Sequence, residues 1–174
     1  MPKDNSPTLI LGGARSGKSA HAEGLMPEQA TYVATARPDP TDEEWQDRIA
    51  KHISRRPPNW HTVEPQDLPK FLTTAQGPVI VDDIATWLTG VMDDHGAWTG
   101  TLDPVTQECD RLVRAVAGSR AELVLVSAEV GLGVVPGTRS GRLFRDQLGA
   151  LNASLAERCA SVVLLVAGIP LRLR

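Results

Sequence analysis

This 174-residue chain contains the segment Gly12-Gly13-Ala14-Arg15-Ser16-Gly17-Lys18-Ser19. The segment matches G-x-x-x-x-G-K-[ST], in which glycines let backbone N–H groups turn around a phosphate. The lysine then reaches the β- and γ-phosphate oxygens, and the final hydroxyl can bind Mg²⁺. An apolar run at residues 8–11 precedes the loop and a helical pattern starts near Lys18, so the positive end of a helix dipole faces the loop. This order predicts a phosphate-binding loop rather than a glycine turn with an incidental lysine.

Short apolar runs recur along the rest of the chain, at residues 30–34, 79–82, 123–127 and 162–166. They lack period-two alternation, which is typical of strands buried on both faces. Helical patterns separate them, the clearest at residues 138–158, and residues 170–174 alternate as a short edge strand does. The apolar positions on one face of that helix are Leu143 or Phe144, Leu148, Leu151 and Leu155. We therefore predict a P-loop NTPase-like α/β fold, with a doubly wound, mostly parallel sheet, helices on both faces and a C-terminal edge strand.

Length and composition narrow the class of protein. A chain of 174 residues predicts one domain, residues 1–174. The net charge of -3 gives no electrostatic reason to expect a nucleic acid or an anionic membrane as partner. No apolar run reaches the length of a membrane span or a secretory signal, and Cys109 and Cys159 lack the spacing of a zinc site or a disulfide framework. We expect a cytoplasmic protein without a membrane span.

Two adjacent carboxylates, Asp82 and Asp83, end the apolar run at residues 79–82. A phosphate loop needs an acidic residue from another strand to hold Mg²⁺, and Asp82 is our candidate, with Ser19 as the second protein ligand. The alternative is a helix N-cap, a position at which Asp is favoured. The two aspartates can divide these roles. The chain has no Asn-Lys-x-Asp guanine motif, so a regulatory GTPase is not expected.

A second helical pattern begins at a capping box, Thr41-Asp-Glu-Glu44. His52 lies seven residues after Trp45, at almost the same azimuth, and therefore faces the protein. A histidine in such a place is most often a packed core residue. The arginines at positions 48, 55 and 56 nevertheless suit phosphate oxygens, so a nucleotide role for His52 stays open.

Further motifs follow the phosphate loop in a fixed order. They are Tyr32-Val-Ala-Thr35, Arg48-Ile-x-x-His52 with Arg56-Pro57, the segment from Trp60 to Glu64, Asp82, Trp87-Leu-Thr89, Glu129-Val-Gly-Leu-Gly-Val-Val-Pro136, Arg139, Arg142, Phe144-Arg-Asp146, Gly149 and Asn152. In this order they resemble the bifunctional adenosylcobinamide kinase/adenosylcobinamide-phosphate guanylyltransferases of cobalamin biosynthesis. The resemblance covers almost the whole chain.

The resemblance implies two reactions. ATP or GTP first gives its γ-phosphate to the aminopropanol hydroxyl of adenosylcobinamide. GTP then transfers GMP to adenosylcobinamide phosphate through a GMP–histidine intermediate, giving adenosylcobinamide-GDP, and His52 aligns with that histidine. The family also implies a homotrimer. Beside the phosphate loop, the residues that align with its guanine-nucleotide contacts are Ala34, Thr35, Ala36, Ile53, Ser54, Arg55, Arg56, Glu64 and Asp82.

Elementary chemistry is compatible with this assignment. A neutral imidazole nitrogen can attack the α-phosphorus and divide one displacement into two, while Arg55 and Arg56 offset charge on the phosphorus oxygens. The chain departs from the family pattern at Ala128 and Gly90, where Asn is usual, and at Asp83, where Cys is usual.

Two other functions compete with this one. The first is a P-loop kinase of a small metabolite without nucleotidyl transfer, in which His52 is structural. The second is a recombinase-like oligomeric module that binds a partner or DNA, against which the net charge of -3 and the lack of a basic stripe argue.

Overall fold

One seven-stranded sheet runs through residues 6–37 and 56–174, which the computed structural model describes. The strands are β1 (Thr8–Gly12), β2 (Thr31–Ala34), β3 (His61–Val63), β4 (Pro78–Asp82), β5 (Glu122–Ala128), β6 (Ser161–Val166) and β7 (Ile169–Arg172). The helices within these ranges are α1 (Lys18–Gly24), α2 (Leu68–Thr74), α3 (Ile84–Asp94), α4 (Asp103–Gly118) and α5 (Arg139–Ala156). The helix predicted after Thr41 lies outside the described residues.

The sheet has the order β3-β2-β4-β5-β1-β6-β7. The first six strands are parallel, and β7 pairs antiparallel with β6, so the predicted parallel sheet and C-terminal edge strand are confirmed. In the parallel register Asp82 lies opposite both Ala34 and Val126, and Gly12 lies opposite Ala128. The carboxyl ends of β2, β4, β5 and β1 therefore meet at one edge, where open α/β sheets bind their ligands.

Alternating side chains along the strands build two apolar layers, one on each face of the sheet. Leu9, Leu11 and the odd-numbered residues of β4 and β5 pack against α2–α5. Ile10, Ile80 and Val124 face the other way and pack with Ala22 of α1. The prediction of helices on both faces is confirmed, with α1 on one face and four described helices on the other.

The predicted α5 agrees with the structure to within two residues at each end. Leu148, Leu151 and Leu155 are buried, and Leu143 and Phe144 pack half-buried against the same layer. The strand β3 was not predicted, because His61 and Thr62 are exposed and the segment has no apolar run. Cys109 and Cys159 are free thiols. None of the helices in residues 6–37 and 56–174 combines the length and apolar composition needed to cross a membrane.

Asn152 fastens α5 to the carboxyl end of β5. Its side chain is 5% exposed, its Nδ2 donates to the Ala128 carbonyl at 3.0 Å, and its Oδ1 accepts from Ser127 Oγ at 2.7 Å.

Asn152→Ala leaves both partners unpaired, so we predict a loss of roughly 2–3 kcal/mol in the free energy of unfolding, measured by urea denaturation. The control is Ser154→Ala on the exposed side of α5. An Asn152→Ala protein as stable as this control would contradict the prediction.

Candidate functional site

The phosphate loop connects the end of β1 to the first turn of α1. Gly17 caps α1 with a φ of 89°, a left-handed conformation that favours glycine, and Arg15 has a φ of 56°. Ser16 is buried inside the loop, whereas Ala14, Arg15 and Gly17 are exposed. Lys18 is half-buried, with its Nζ 3.4 Å from the Gly13 carbonyl. Exposed backbone at a helix N-terminus beside a lysine is the arrangement that binds phosphate.

Main-chain contacts hold this loop from both neighbouring strands. The Glu129 N–H, just after β5, donates to the Gly12 carbonyl at 3.0 Å, and the Gly168 N–H, in the β6–β7 turn, donates to the Ser16 carbonyl at 3.0 Å. Gly12 has no room for a side chain, because a Cβ there would lie 2.3 Å from Ser16 Oγ. The loop is therefore packed in place by β5 and β6.

Asp82 and Ser19 come together across the carboxyl edge of the sheet. Ser19 Oγ lies 3.3 Å from Asp82 Oδ1, although β5 separates β4 from β1. Neighbouring ligands of an octahedral Mg²⁺ with bonds of 2.0–2.1 Å are about 3.0 Å apart, so these two oxygens fit one such ion with little movement. Mg²⁺ is held in this way by few protein oxygens, with water and substrate phosphates completing the shell.

Asp83 has the second of the two predicted roles. Its Oδ1 accepts from the Thr86 N–H at 2.6 Å and so caps α3. Burial raises the pKa of the Asp83 carboxyl, whereas the capping hydrogen bond lowers it. Thr35, just after β2, is hydrogen-bonded to the Asp83 backbone. Its Oγ1 donates to the Asp83 carbonyl at 2.7 Å and accepts from the Asp83 N–H at 2.9 Å. The two aspartates therefore face different partners.

Tyr32 contacts the Asp82 oxygen that is not next to Ser19, and Arg56 lies over the Tyr32 ring. The Tyr32 hydroxyl donates to Asp82 Oδ2 at 2.7 Å, and the Arg56 guanidinium carbon lies 3.5 Å above the centroid of the Tyr32 ring. Arg56 Nη1 donates to Thr62 Oγ1 at 3.2 Å, and the Trp60 ring stacks on Tyr32 with centroids 6.3 Å apart. Burial and the Asp82 charge raise the pKa of Tyr32 above its ordinary value, so the phenol stays a proton donor. Tyr32 was part of a motif, but no role had been predicted for it.

A cavity of about 520 Å³ opens beside this centre, at the carboxyl ends of β2 and β3. Its wall contains four of the predicted nucleotide residues, Ala34, Thr35, Ala36 and Glu64. Other residues of the wall come from α2, α3, α4 and the segments around them, and include Leu68, Trp87, Val91, Asp94, Glu108 and Arg111. The predicted site is thus two adjoining parts, the phosphate loop with Asp82 and this cavity.

Three ion pairs, formed by two arginines, shape the cavity wall, and none of them was predicted. Arg37 binds Asp94 with two hydrogen bonds of 2.6 and 2.5 Å, which holds the pKa of the Asp94 carboxyl below its usual range. Arg111 bridges Glu108 and Asp67, the latter at 2.8 Å. A Cβ at Gly90 would lie 2.8 Å from Arg37 Nε, so the glycine at this departure from the family pattern makes room for Arg37.

The remaining predicted residues, His52, Ile53, Ser54 and Arg55, lie outside the described residues. Arg56, the first residue after them, is in place over Tyr32. Of the predicted set, the structure therefore brings Ser19 of the phosphate loop to Asp82, places Arg56 over the Tyr32 ring that is hydrogen-bonded to Asp82, and puts Ala34–Ala36 with Glu64 at the adjoining cavity.

Comparison with known proteins identifies close relatives. The sequence model of the family described as cobinamide kinase / cobinamide phosphate guanyltransferase matches residues 8–173. The bifunctional adenosylcobalamin biosynthesis protein CobU of Escherichia coli (strain K12) is 36% identical over 183 residues, which cover 95% of this chain and 98% of that protein. The bifunctional adenosylcobalamin biosynthesis protein CobP of Pseudomonas aeruginosa is 39% identical over 175 residues, covering 95% and 96%.

A solved structure supports the fold class. An ATPase from the type III secretion system of pathogenic bacteria superposes with a TM-score of 0.54 and 10% sequence identity, over 93% of this chain and 51% of that one. At this identity the likeness concerns the fold alone, and it agrees with the predicted P-loop NTPase-like architecture.

Replacing each of the two aspartates separates their roles. Asp82→Asn removes the charge beside Ser19, so we predict at least a tenfold rise in the Mg²⁺ concentration needed for half-maximal binding of a fluorescent GTP analogue. Asp83→Asn keeps an oxygen for the Thr86 N–H, since Asn also caps helices, and leaves this Mg²⁺ concentration unchanged. An equal effect of the two substitutions, or a larger effect at Asp83, would show that the wrong aspartate has been assigned.

Proposed function

The chain belongs to the cobinamide kinase / cobinamide phosphate guanyltransferase family, and we propose that it performs both reactions at the carboxyl edge of its sheet. The substrates are ATP or GTP, adenosylcobinamide and adenosylcobinamide phosphate. The contact between Ser19 and Asp82 carries the proposal, because it completes the phosphate loop with the carboxylate that such loops require. A pathway that consumes nucleoside triphosphates favours a cytoplasmic location.

In the kinase step the loop binds the triphosphate and positions it for transfer. Backbone N–H groups of residues 12–19 and the Lys18 ammonium contact the β- and γ-phosphate oxygens. Ser19 and Asp82 would hold Mg²⁺, which when bound offsets charge on those oxygens. The acceptor hydroxyl oxygen forms a bond to the γ-phosphorus and loses its proton, the bond to the β-phosphate oxygen breaks, and the nucleoside diphosphate leaves.

In the guanylyl step His52 is the nucleophile. A neutral imidazole nitrogen bonds to the α-phosphorus of GTP, and pyrophosphate leaves. A phosphate oxygen of adenosylcobinamide phosphate then bonds to that phosphorus, the phosphorus–nitrogen bond breaks, and adenosylcobinamide-GDP and free histidine result. Arg55 and Arg56 offset charge on the phosphorus oxygens. The assignment of His52 rests on the sequence match, and the position of Arg56 beside Tyr32 and Asp82 supports a role for this segment at the phosphate edge.

The cavity beside the phosphate loop is the proposed place for the guanine nucleoside. Ala34, Thr35, Ala36 and Glu64, which align with family nucleotide contacts, all line it. The Glu64 carboxylate accepts hydrogen bonds only, and guanine offers donors at N1 and N2 that such a group recognises. Thr35 connects the cavity to the Asp83 backbone, one residue from Asp82, so base and phosphates have adjoining sites.

The imidazole of His52 separates the two activities. With adenosylcobinamide and GTP, wild type gains the mass of a phosphate and then of GMP on the corrinoid, whereas His52→Ala stops at adenosylcobinamide phosphate. Lys18→Ala loses kinase turnover by orders of magnitude, because it removes the ammonium charge that stabilises the transferred phosphate.

GMP attachment to wild type falls as pH drops below the histidine pKa, about 6.5 when unperturbed, since the protonated ring is no nucleophile. Mass spectrometry of corrinoids and protein measures all three effects.

Other results would contradict the proposal. A GMP adduct that persists in His52→Ala, or that forms on another residue in wild type, ends the assignment of His52. Loss of both activities in His52→Ala, together with a lower melting temperature, indicates that His52 is a packing residue. Kinase turnover without any GMP transfer in wild type indicates the small-metabolite kinase.

The family also implies a homotrimer, and an apolar edge of the sheet supports that assembly. Val166, Ile169, Leu171 and Leu173 are each more than half exposed, and β7 is the last strand of the described sheet. Contiguous apolar surface on a sheet edge marks an interface when a protein remains unaggregated.

A charge on this edge is expected to break the assembly. Leu171→Glu places an unpaired carboxylate in the proposed interface, so light scattering after gel filtration should give a smaller species than the wild-type trimer. Ser154→Glu, on the exposed side of α5, serves as control and stays trimeric. A trimer in Leu171→Glu shows that the interface lies elsewhere, and a monomeric wild type shows that the homotrimer is wrong.

A further inference from the structure

The Asp82 carboxylate has two oxygens with different partners. Oδ1 lies 3.3 Å from Ser19 Oγ, and Oδ2 accepts a hydrogen bond of 2.7 Å from the Tyr32 hydroxyl. A distance of 2.7 Å is the usual length of a well-formed O–H···O hydrogen bond. The carboxylate is therefore held in one rotation, with one oxygen toward Ser19 and the other toward β2.

The register of the sheet brings Tyr32 to this position. Tyr32 lies opposite Ile80, and Asp82 follows two residues later on the same face of β4. Diagonal neighbours at this spacing are within reach of an aromatic side chain that leans along its strand. The hydroxyl at the end of the Tyr32 ring reaches the Asp82 carboxylate in this way.

The tyrosine ring is itself fixed. It is 2% exposed, lies directly opposite Ile80 in the same buried apolar cluster, and is covered by the Arg56 guanidinium, whose carbon lies 3.5 Å from the ring centroid. The Trp60 ring stacks on it, and the indole N–H of Trp60 donates to the Pro27 carbonyl at 3.1 Å. A donor on so restricted a ring has little freedom to follow a moving carboxylate, so it fixes the direction of Asp82.

We propose that Tyr32 is a positioning residue for the phosphate site. Its hydroxyl turns Asp82 Oδ1 toward Ser19, so that Asp82 Oδ1 and Ser19 Oγ can bind the same Mg²⁺. The inference rests on the proposed Mg²⁺ site and adds the residue that orients it. Hydrogen-bonded partners of metal-binding carboxylates typically contribute 10- to 100-fold to metal affinity, because they remove rotations that the ion would otherwise have to select. Tyr32 does not contact substrate and is not a nucleophile or a base.

The test compares Tyr32→Phe with a matched packing control. Tyr32→Phe removes only the hydroxyl, and Ile80→Val removes one methylene directly opposite Tyr32 without touching Asp82. For each protein, the Mg²⁺ concentration for half-maximal binding of a fluorescent, non-hydrolysable GTP analogue is measured beside the melting temperature. We expect about a tenfold higher Mg²⁺ concentration for Tyr32→Phe and the wild-type value for Ile80→Val. This binding measurement needs no turnover.

A second measurement uses the single tyrosine of the chain. Protein grown with 3-fluorotyrosine carries one label, at residue 32. Its ¹⁹F resonance should shift when Mg²⁺ joins the bound nucleotide in wild type, and should not shift in Asp82→Asn. An unchanged ¹⁹F chemical shift on addition of Mg²⁺ to nucleotide-bound wild type would overturn the inference.

The outcomes distinguish the inference from its premise. A wild-type Mg²⁺ requirement in Asp82→Asn overturns the proposed metal site and the inference with it. A raised requirement in Asp82→Asn but not in Tyr32→Phe overturns the inference alone, as does an equal rise in Tyr32→Phe and Ile80→Val. A rise in Asp82→Asn and Tyr32→Phe, with none in Ile80→Val, supports both.

Discussion

The meeting of Asp82 with Ser19 is the contact on which the functional edge depends. Ser19 belongs to the first turn of α1, and Asp82 ends β4, with β5 between the strands that lead to them. The two side chains meet only because β4, β5 and β1 run parallel and in register, so that their carboxyl ends lie at one edge. A carboxylate at this edge is half-buried and needs partners, which Ser19 and Tyr32 supply.

The same edge also carries the cavity, because the residues that follow the neighbouring strands β2 and β3 line it. Thr35 follows β2 and Glu64 follows β3, and both face the cavity beside the phosphate loop. The Thr35 hydroxyl is hydrogen-bonded to the backbone of Asp83, the N-cap of α3. This contact connects the cavity wall to the residue next to Asp82. In the proposed function, the two nucleotide-dependent reactions therefore use adjoining sites at one edge of the sheet.

Local sequence was sufficient for the features that depend on neighbours in the chain. The phosphate loop, its strand and its helix follow from glycine and lysine spacing, and the parallel strands follow from unbroken apolar runs. Asp82 was the metal candidate from its place at the end of the strand, but a helix cap was the alternative because an aspartate can do either. Only the fold shows that Asp83 caps α3 while Asp82 lies beside Ser19. Tyr32 reads as an ordinary buried aromatic residue, because its partner is 50 positions away. The Arg37–Asp94 pair, 57 positions apart, was hidden for the same reason.

We propose that residues 12–19 and Asp82 form one triphosphate site. A crystal structure of the protein with Mg²⁺ and a non-hydrolysable GTP analogue would test this. We expect the β- and γ-phosphates inside the loop at Lys18, the ion between Ser19 and Asp82, and the base in the cavity near Ala34–Ala36. Phosphates bound away from an empty loop, or an ion that contacts neither Ser19 nor Asp82, would contradict it.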